Sequence, residues 1–335
     1  MNSEIFIGID VSKATFTYCL LNQSRKVQEG ELENSAPGVL EFISIIRLLL
    51  GVGFDQIVFC MEHTGVYSMI LMRHLHATGA RVSVENANRI KSSLGLTRGK
   101  SDKLDARRIA EFAMRFQDKL SFWQPRRKSI EQLQHLAKIR QRLIKVSNQL
   151  LVPVNEASGF IDEQDLEMIS QPSHEIIKVI QSKIIVIENQ IQQIISSDHK
   201  LIKMVKQLQS IPGVGPVIAV ELVIRTNEFK DFENAKKLAC HVGIAPFEYS
   251  SGSSIRGRTR VSHKAHKSLK TLLTLGARAT LCGNNEFKTY FDRKIDDGKN
   301  KLSIINVIRN KIIHRAFAVV KNDTMYDKNY QYSFG

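Results

Sequence analysis

Four carboxylates stand where an all-oxygen metal site could be assembled. Asp10 ends a short apolar run (EIFIGI, 4 to 9), and Glu62 directly follows another (QIVFCM, 56 to 61). Asp102 and Asp105 lie three apart in SDKLDARRIAEF, a spacing that puts both on one face of a helix. If the two apolar runs are adjacent strands of one sheet, Asp10 and Glu62 emerge together at its C-terminal edge, where ligand sites of open α/β sheets form. A helix laid across that edge would deliver the two aspartates. Four carboxylates in one place repel one another, raise their own pKa values and call for a cation. Hard oxygen donors select Mg2+ or Mn2+. Two such ions about 3.5–4 Å apart activate the nucleophile and stabilise the leaving oxygen in phosphodiester cleavage. Singly, each carboxylate has a plainer reading: Asp102 as a helix cap, Asp10 as a turn residue.

The surroundings are basic. Arg89, Lys91, Arg98, Lys100, Lys103, Arg107 and Arg108 flank the aspartates and could hold a nucleic-acid backbone, or could each decorate a solvated helix face. In QSIPGVGPVIAVELV, Gly213 and Gly215 flank Val214. Such glycines let the backbone turn sharply between helices and expose N–H groups to a phosphate, the helix-hairpin-helix pattern of sequence-independent DNA binding. They could equally join two core helices. Between 251 and 270 the chain carries Arg256, Arg258, Arg260, Lys264, Lys267 and Lys270 and no acid, a field suited to a phosphate and its pentavalent transition state. His263 and His266, in that field, read as further phosphate contacts and not as acid or base.

The elements that must position these groups can be read from the apolar pattern. Residues 4 to 9, 14 to 21 and 26 to 33 predict three hairpin-connected strands; a helix from Pro37 to Leu50, a strand at 56 to 61, a helix from Tyr67 to Ala77 and a strand at 81 to 85 follow. The order βββαβαβ suits an α/β domain with an antiparallel edge and a parallel centre. Past Trp123 the pattern turns helical. Leu136, Ile139, Leu143, Val146 and Leu150 keep heptad spacing, as do Ile177, Ile180, Ile184, Ile187, Ile191 and Ile194. Between them, 156 to 173 hold five acids and no Lys or Arg, with Gly159 and Pro172 as punctuation, the signature of a helical-hairpin tip or a join to a partner chain. Residues 322 to 335 read as a tail, docked through Tyr326 or Tyr330.

The 335 residues carry 48 Lys and Arg against 33 Asp and Glu, a formal charge of +15, which points to a polyanionic partner. With 43% hydrophobic and 24% charged residues the chain is neither disordered nor collagenous. Its most apolar stretch, LEFISIIRLLLGVG, is short and carries Arg47, so no transmembrane helix is expected. The N-terminus lacks a basic n-region, which reads as no signal peptide and a cytoplasmic protein. Cys19, Cys60, Cys240 and Cys282 are scattered and read as reduced core residues without a zinc site.

Three stretches, GIDVSK (8 to 13), MEHTGVY (61 to 67) and KSDKLDARRIA (100 to 110), in that element order, resemble the RuvC-like DEDD domain of insertion-sequence transposases related to the Piv DNA invertases. Some of that family are bridge-RNA-guided recombinases. IPGVGPVIAVELV and HVGIAPFEYSSGSSIRGRTRVSHKAHKSLK are similar to the family's C-terminal transposase domain. The resemblance implies a ribonuclease-H-like metal-dependent domain over 1–122, with Asp10, Glu62, Asp102 and Asp105 as its metal-binding tetrad. Beyond it come a helical coiled-coil spacer over 123–205, a mainly α transposase domain with the helix-hairpin-helix and serine loop over 206–322, and the tail over 323–335. It also implies a serine nucleophile that becomes covalently joined to DNA, preceding a glycine after a Gly-x-x-Pro segment. Gly243 to Pro246 is that segment here, which selects Ser251 ahead of Ser250, Ser253 and Ser254. The expected protein is a DNA transposase or site-specific recombinase with DNA, and a structured guide RNA, as partners, acting as a dimer that pairs into a four-subunit synapse. The alternatives are a structure-selective junction endonuclease using metal-activated water, and a non-enzymatic architectural DNA-binding protein.

Overall fold

The computed structural model of the chain describes residues 5–22, 25–93, 95, 99, 101–251, 255–261 and 265–327, with the backbone alone at 25–27, 247–251 and 255–261. It divides into two compact units, Met1–Pro125 and Arg126–Gly335.

In the first unit, β1 (Ile5–Val11), β2 (Thr15–Asn22) and β3 (Arg25–Glu33) follow one another as antiparallel hairpins. β4 (Ile57–Glu62) adds to β1 and β5 (Arg81–Glu85) to β4, both in parallel, giving the order β3-β2-β1-β4-β5. The parallel pairs thus run to the far edge of the sheet and are not enclosed at its centre. Between β3 and β4, α1 (Ala36–Leu50) starts where the Ser35 hydroxyl accepts the Gly38 N–H and stops at Gly51, whose φ of +63° is one that glycine adopts freely. α2 (Met69–Ala77) crosses back between β4 and β5.

Strand residues alternate between faces. Ile7, Ile9 and Val11 of β1, with Ile57, Phe59 and Met61 of β4, bury against Phe42 and Ile46 of α1 and Leu71 and Leu75 of α2. Phe42 is the hub of that layer, its ring 5.4 Å from Phe16, 4.8 Å from Tyr18 and 6.1 Å from Phe59. The opposite face carries Phe6, Val58 and Cys60 and is covered by Ile109, Phe112 and Ala113 of α4 (Asp102–Arg115) and by Ile90 of α3 (Ala87–Ser93). By the same alternation Gly8 and Asp10 of β1, and Glu62 of β4, lie on the α4 side.

Gly8 sets how close α4 can come. A Cβ at Gly8 would lie 2.1 Å from the Ala106 carbonyl oxygen and 2.2 Å from the Ala110 amide nitrogen. Ala106 and Ala110, both fully buried with Cys19 and Leu21, offer the small side chains that such contact demands.

In the second unit, α5 (Lys128–Ala157) and α6 (Glu163–Ser196) form a helical hairpin with residues 158–162 as its tip. Pro172 does not punctuate: α6 runs through it, as α5 does through Pro153. The acids of the tip have a local reason, since Asp162 caps α6 and Glu163 and Asp165 occupy its first turn, where the helix dipole favours negative charge. The α6 stripe is buried at Ile177, Ile180, Ile187 and Ile191, whereas Ile139 and Val146 of the α5 stripe remain exposed. One hydrophobic core takes in Ile130 and Leu133 of α5, Ile187, Ile191 and Ile195 of α6, and the helices beyond. The expected spacer is therefore continuous with the C-terminal region. Arg127 pins that junction, reaching Glu228, whose side chain is fully buried, at 2.5 and 3.0 Å, and Asp198 at 2.6 Å.

α7 (His199–Gln209), α8 (Pro216–Thr226), α9 (Ala235–Val242), the hairpin β6 (Pro246–Ser251) and β7 (Ile255–Val261), α10 (Lys267–Ala279), α11 (Glu286–Asp296) and α12 (Lys301–Lys321) complete the unit. The segment after α12 docks through Tyr326, whose N–H donates to the Ser210 hydroxyl at 2.8 Å; Tyr330 lies outside the described residues. Among the cysteines Cys19 and Cys60 are buried as expected, but Cys282 is exposed. No helix among the described residues is long and apolar enough to cross a membrane.

Gly8→Ala should cost about 1–3 kcal/mol in urea denaturation of the full chain, because two backbones must separate. Leu48→Ala, at a side chain 87% exposed, serves as control and should stay within about 0.5 kcal/mol of the parent. A Gly8→Ala chain as stable as the parent would contradict this packing.

Candidate active site

The parallel register pairs Ile9 with Met61, so Asp10 and Glu62 are the next residues along two neighbouring strands, at the same edge and on the same face. α4 runs along that face and begins beside it. Its cap is Ser101, whose hydroxyl accepts the Leu104 N–H at 3.3 Å; Asp102 is therefore a first-turn residue and not the cap. Asp102 lies one turn before the buried Ala106 and Asp105 one turn before the buried Ile109, so packing against the sheet points both carboxylates the same way. The positive end of the helix dipole partly offsets their charge.

Asp10 feels all of them. Its carboxyl is pushed up from 3.8 to about 6, first by burial, then by the charges of Asp102, Asp105 and Glu62, against one lowering hydrogen bond from the Val11 N–H. The four groups brought together are thus those expected from the sequence. They do not close into a ready coordination sphere: among the described residues no three acidic, imidazole or thiol side chains meet tightly enough to hold an ion, and Asp105 instead pairs with Arg108 at 2.9 Å. The donor set is all carboxylate, with the ionised form of one member disfavoured by burial and then by its neighbours' charges, which is the chemistry a hard divalent cation relieves.

Other residues shape the edge. Asn34 ties the β1–β2 turn to the segment after β4, donating to Ser12 O at 2.8 Å and Tyr67 O at 3.0 Å. Glu85, beside Glu62 across the β4–β5 register, is nearly buried and accepts Arg89 at 2.6 Å and the Ser83 hydroxyl at 3.1 Å. Arg89 is further held by Lys119 O at 3.1 Å and by the Phe112 ring, so it braces α3 and α4 as well as facing solvent. The sequence signal for this pair was an acid closing the strand RVSVE with an arginine four residues on. Arg108 was legible in the same way, three residues after Asp105.

Of the expected nucleic-acid contacts, Lys103 lies 3.8 Å from Glu29 and Arg107 3.0 Å from Glu111, with side chains still 65% and 52% exposed. Arg98, Lys100 and Lys264 lie outside the described residues. Arg256, Arg258 and Arg260 follow one another at alternate positions of β7; Ser251 ends β6 opposite Ile255, and Ser250 lies opposite Arg256. Lys267 opens α10, exposed. Gly213, at φ +81°, has a packing reason for being glycine: a Cβ there would meet the Gly276 carbonyl oxygen of α10 at 2.4 Å. Gly215 caps α8, is exposed, and has nothing near a built Cβ. His266 caps α10 by accepting the Leu269 N–H through Nδ1, and burial and Arg225 bring it down to about 4. It is a neutral acceptor there, not the cationic phosphate contact read from the sequence.

Because Asp10 is raised in the folded chain, the native state keeps a proton between about pH 4 and pH 6 that the unfolded chain has released, so stability falls as pH rises through that window. Asp10→Asn should therefore melt above the parent at neutral pH in chelator, with the gain vanishing near about pH 4. Millimolar Mg2+ or Mn2+ should raise the melting temperature of the parent and not of Asp10→Asn. A cation response that survives the substitution would contradict the assignment.

Residues 205–292 match the Transposase IS116/IS110/IS902 family, and residues 7–153 match the DEDD IS110 family, described as a transposase. The pilin gene-inverting protein of Moraxella bovis is 26% identical over 97% of this chain and 98% of its own length, and that of Moraxella lacunata is equally similar. The transposase for insertion sequence element IS1111A of Coxiella burnetii is 27% identical over 54% of this chain and 55% of its own length. Asp10, Glu62, Asp102 and Asp105 fall within residues 7–153 and the β6–β7 hairpin within residues 205–292, so that along both matched stretches the chain is similar to the DEDD transposases of the IS110/IS116/IS902 family.

Proposed function

We propose that the chain cleaves and rejoins DNA as an insertion-sequence transposase or invertase, using a divalent-metal site of Asp10, Glu62, Asp102 and Asp105 on a ribonuclease-H-like domain and the hydroxyl of Ser251 as nucleophile. The observation that carries the reading is the raised Asp10, whose charge is opposed by the other three members of the set. A divalent cation bound there would supply charge stabilisation to the reacting phosphodiester and lower the pKa of the attacking hydroxyl. The protein's own part is to collect the carboxylates through α4, to hold Asp105 by Arg108, and to present a basic surface to the backbone. In the strand-cleaving step the Ser251 oxygen forms an ester with phosphorus, its proton leaves, and a strand hydroxyl is released; the reverse attack rejoins the DNA.

Support for Ser251 is its position at the end of β6, five residues after Pro246, opposite a strand carrying three arginines at alternate positions. Metal set and serine belong to different units, so the reading includes a composite site in an oligomer, a dimer pairing into a tetrameric synapse. The family resemblance and the formal charge of +15 also favour a structured guide RNA. RNA recovered with the purified protein and sequenced after nuclease protection tests that part.

On suicide DNA substrates, Ser251→Ala should abolish the covalent protein–DNA adduct, and Asp105→Asn should lower strand transfer by at least about 100-fold while DNA binding persists. An adduct that survives in Ser251→Ala and disappears in Ser250→Ala moves the nucleophile by one residue. Cleavage without any adduct in the parent would favour metal-activated water and the junction-endonuclease reading.

A further inference from the structure

Two cations at the root of the serine hairpin lack a negative partner. Lys270 of α10 and Arg309 of α12 are half-buried, and neither makes an ion pair among the described residues. Arg309 donates to the Thr274 hydroxyl at 3.0 Å and to the Asn306 side-chain oxygen at 2.7 Å, both neutral. Its Nε is buried with no acceptor, and the Asn310 side-chain oxygen close by in sequence is likewise unpaired. Lys270 donates to Gly243 O at 2.9 Å, and Asn306 donates to Ile244 O at 2.9 Å. Lys270 directly, and Arg309 through Asn306, are thereby tied to Gly243 and Ile244, just ahead of β6, which starts at Pro246.

The arrangement is costly as it stands. Burial lowers both groups, and the charge of Arg309 lowers Lys270 further. Elsewhere in the unit half-buried arginines are matched to carboxylates: Arg127 to Glu228 and Asp198, Arg315 to Glu286. A guanidinium and an ammonium on neighbouring helices, each held by neutral acceptors and within electrostatic reach of one another, are arranged for an incoming anion. We propose that Lys270 and Arg309 form a phosphate seat at the root of the β6–β7 hairpin, in which a nucleic-acid backbone phosphate supplies the missing negative charge. The seat rests on the recombinase reading and adds to it a fixed anchor for the strand beside the serine. Its position on α10 and α12, outside the hairpin itself, makes it a binding feature of the helical body and not of the loop.

The test uses the full chain with a labelled DNA duplex and, separately, an RNA hairpin of equal length, titrated over a series of KCl concentrations. Lys270→Gln and Arg309→Gln should each flatten the dependence of log affinity on log salt by about 0.9, and the double variant by about 2. A change with DNA alone identifies DNA as the occupant, and a change with RNA alone identifies RNA. Without nucleic acid both single variants should melt at or above the parent, because an uncompensated half-buried charge has been removed; inorganic phosphate should raise the melting temperature of the parent and not of the double variant. Slopes equal to the parent's with both nucleic acids overturn the seat while leaving the recombinase reading intact, as do variants that melt lower than the parent. A parent chain that binds neither nucleic acid would instead remove the reading beneath it.

Discussion

The first unit depends on how closely α4 can lie on β1. Gly8 has no side chain, Ala106 and Ala110 have the smallest ones, and the helix backbone comes down onto the strand backbone at that point. This contact fixes the translation of α4 along the sheet as well as its height. With Ala106 over Gly8, the first helical turn necessarily falls over the C-terminal ends of β1 and β4, where Asp10 and Glu62 stand. Packing and chemistry are then one constraint: the residues that seal the face of the sheet are one turn from the carboxylates they deliver.

Collecting four acids in a chain of formal charge +15 is not a contradiction but a division of labour. Negative charge is concentrated at one edge, where Asp10 bears the cost as a carboxyl raised to about 6. Arg108 and the N-terminus of α4 offset part of it. Positive charge is spread over exposed lysines and arginines that can track a phosphate backbone at a distance from the acidic edge. In the second unit the sign is reversed, and half-buried cations at the root of β6 stand without carboxylates among the described residues.

Much of this was legible in the residues. Short apolar and β-former-rich runs located β1, β2, β4 and β5 within a residue or two, and the strand-end acids together with the i, i+3 aspartates picked out Asp10 and the three groups that converge on it. What was missed has physical causes. Gly8 lies inside a strand, where a glycine marks close backbone approach only once the helix that crosses above it is in place. Pro172 reads locally as a stop because proline removes one helical hydrogen bond, yet α6 runs through it. His266 sat among cations in the sequence and read as one more; in the fold its ring nitrogen caps a helix, a role that needs it neutral. The pairing of Arg127 with Glu228 crosses a hundred residues, beyond any local pattern, and it merges the expected spacer with the C-terminal body.

The claim that everything else relies on is that α4, seated on Gly8, gathers carboxylates that hold divalent ions. Crystals of the full chain grown with Mn2+, and diffraction recorded at the manganese absorption edge, test it most directly. The account predicts anomalous density between Asp10, Glu62 and the first turn of α4. Manganese bound elsewhere, with that edge of the sheet left without it, would contradict it.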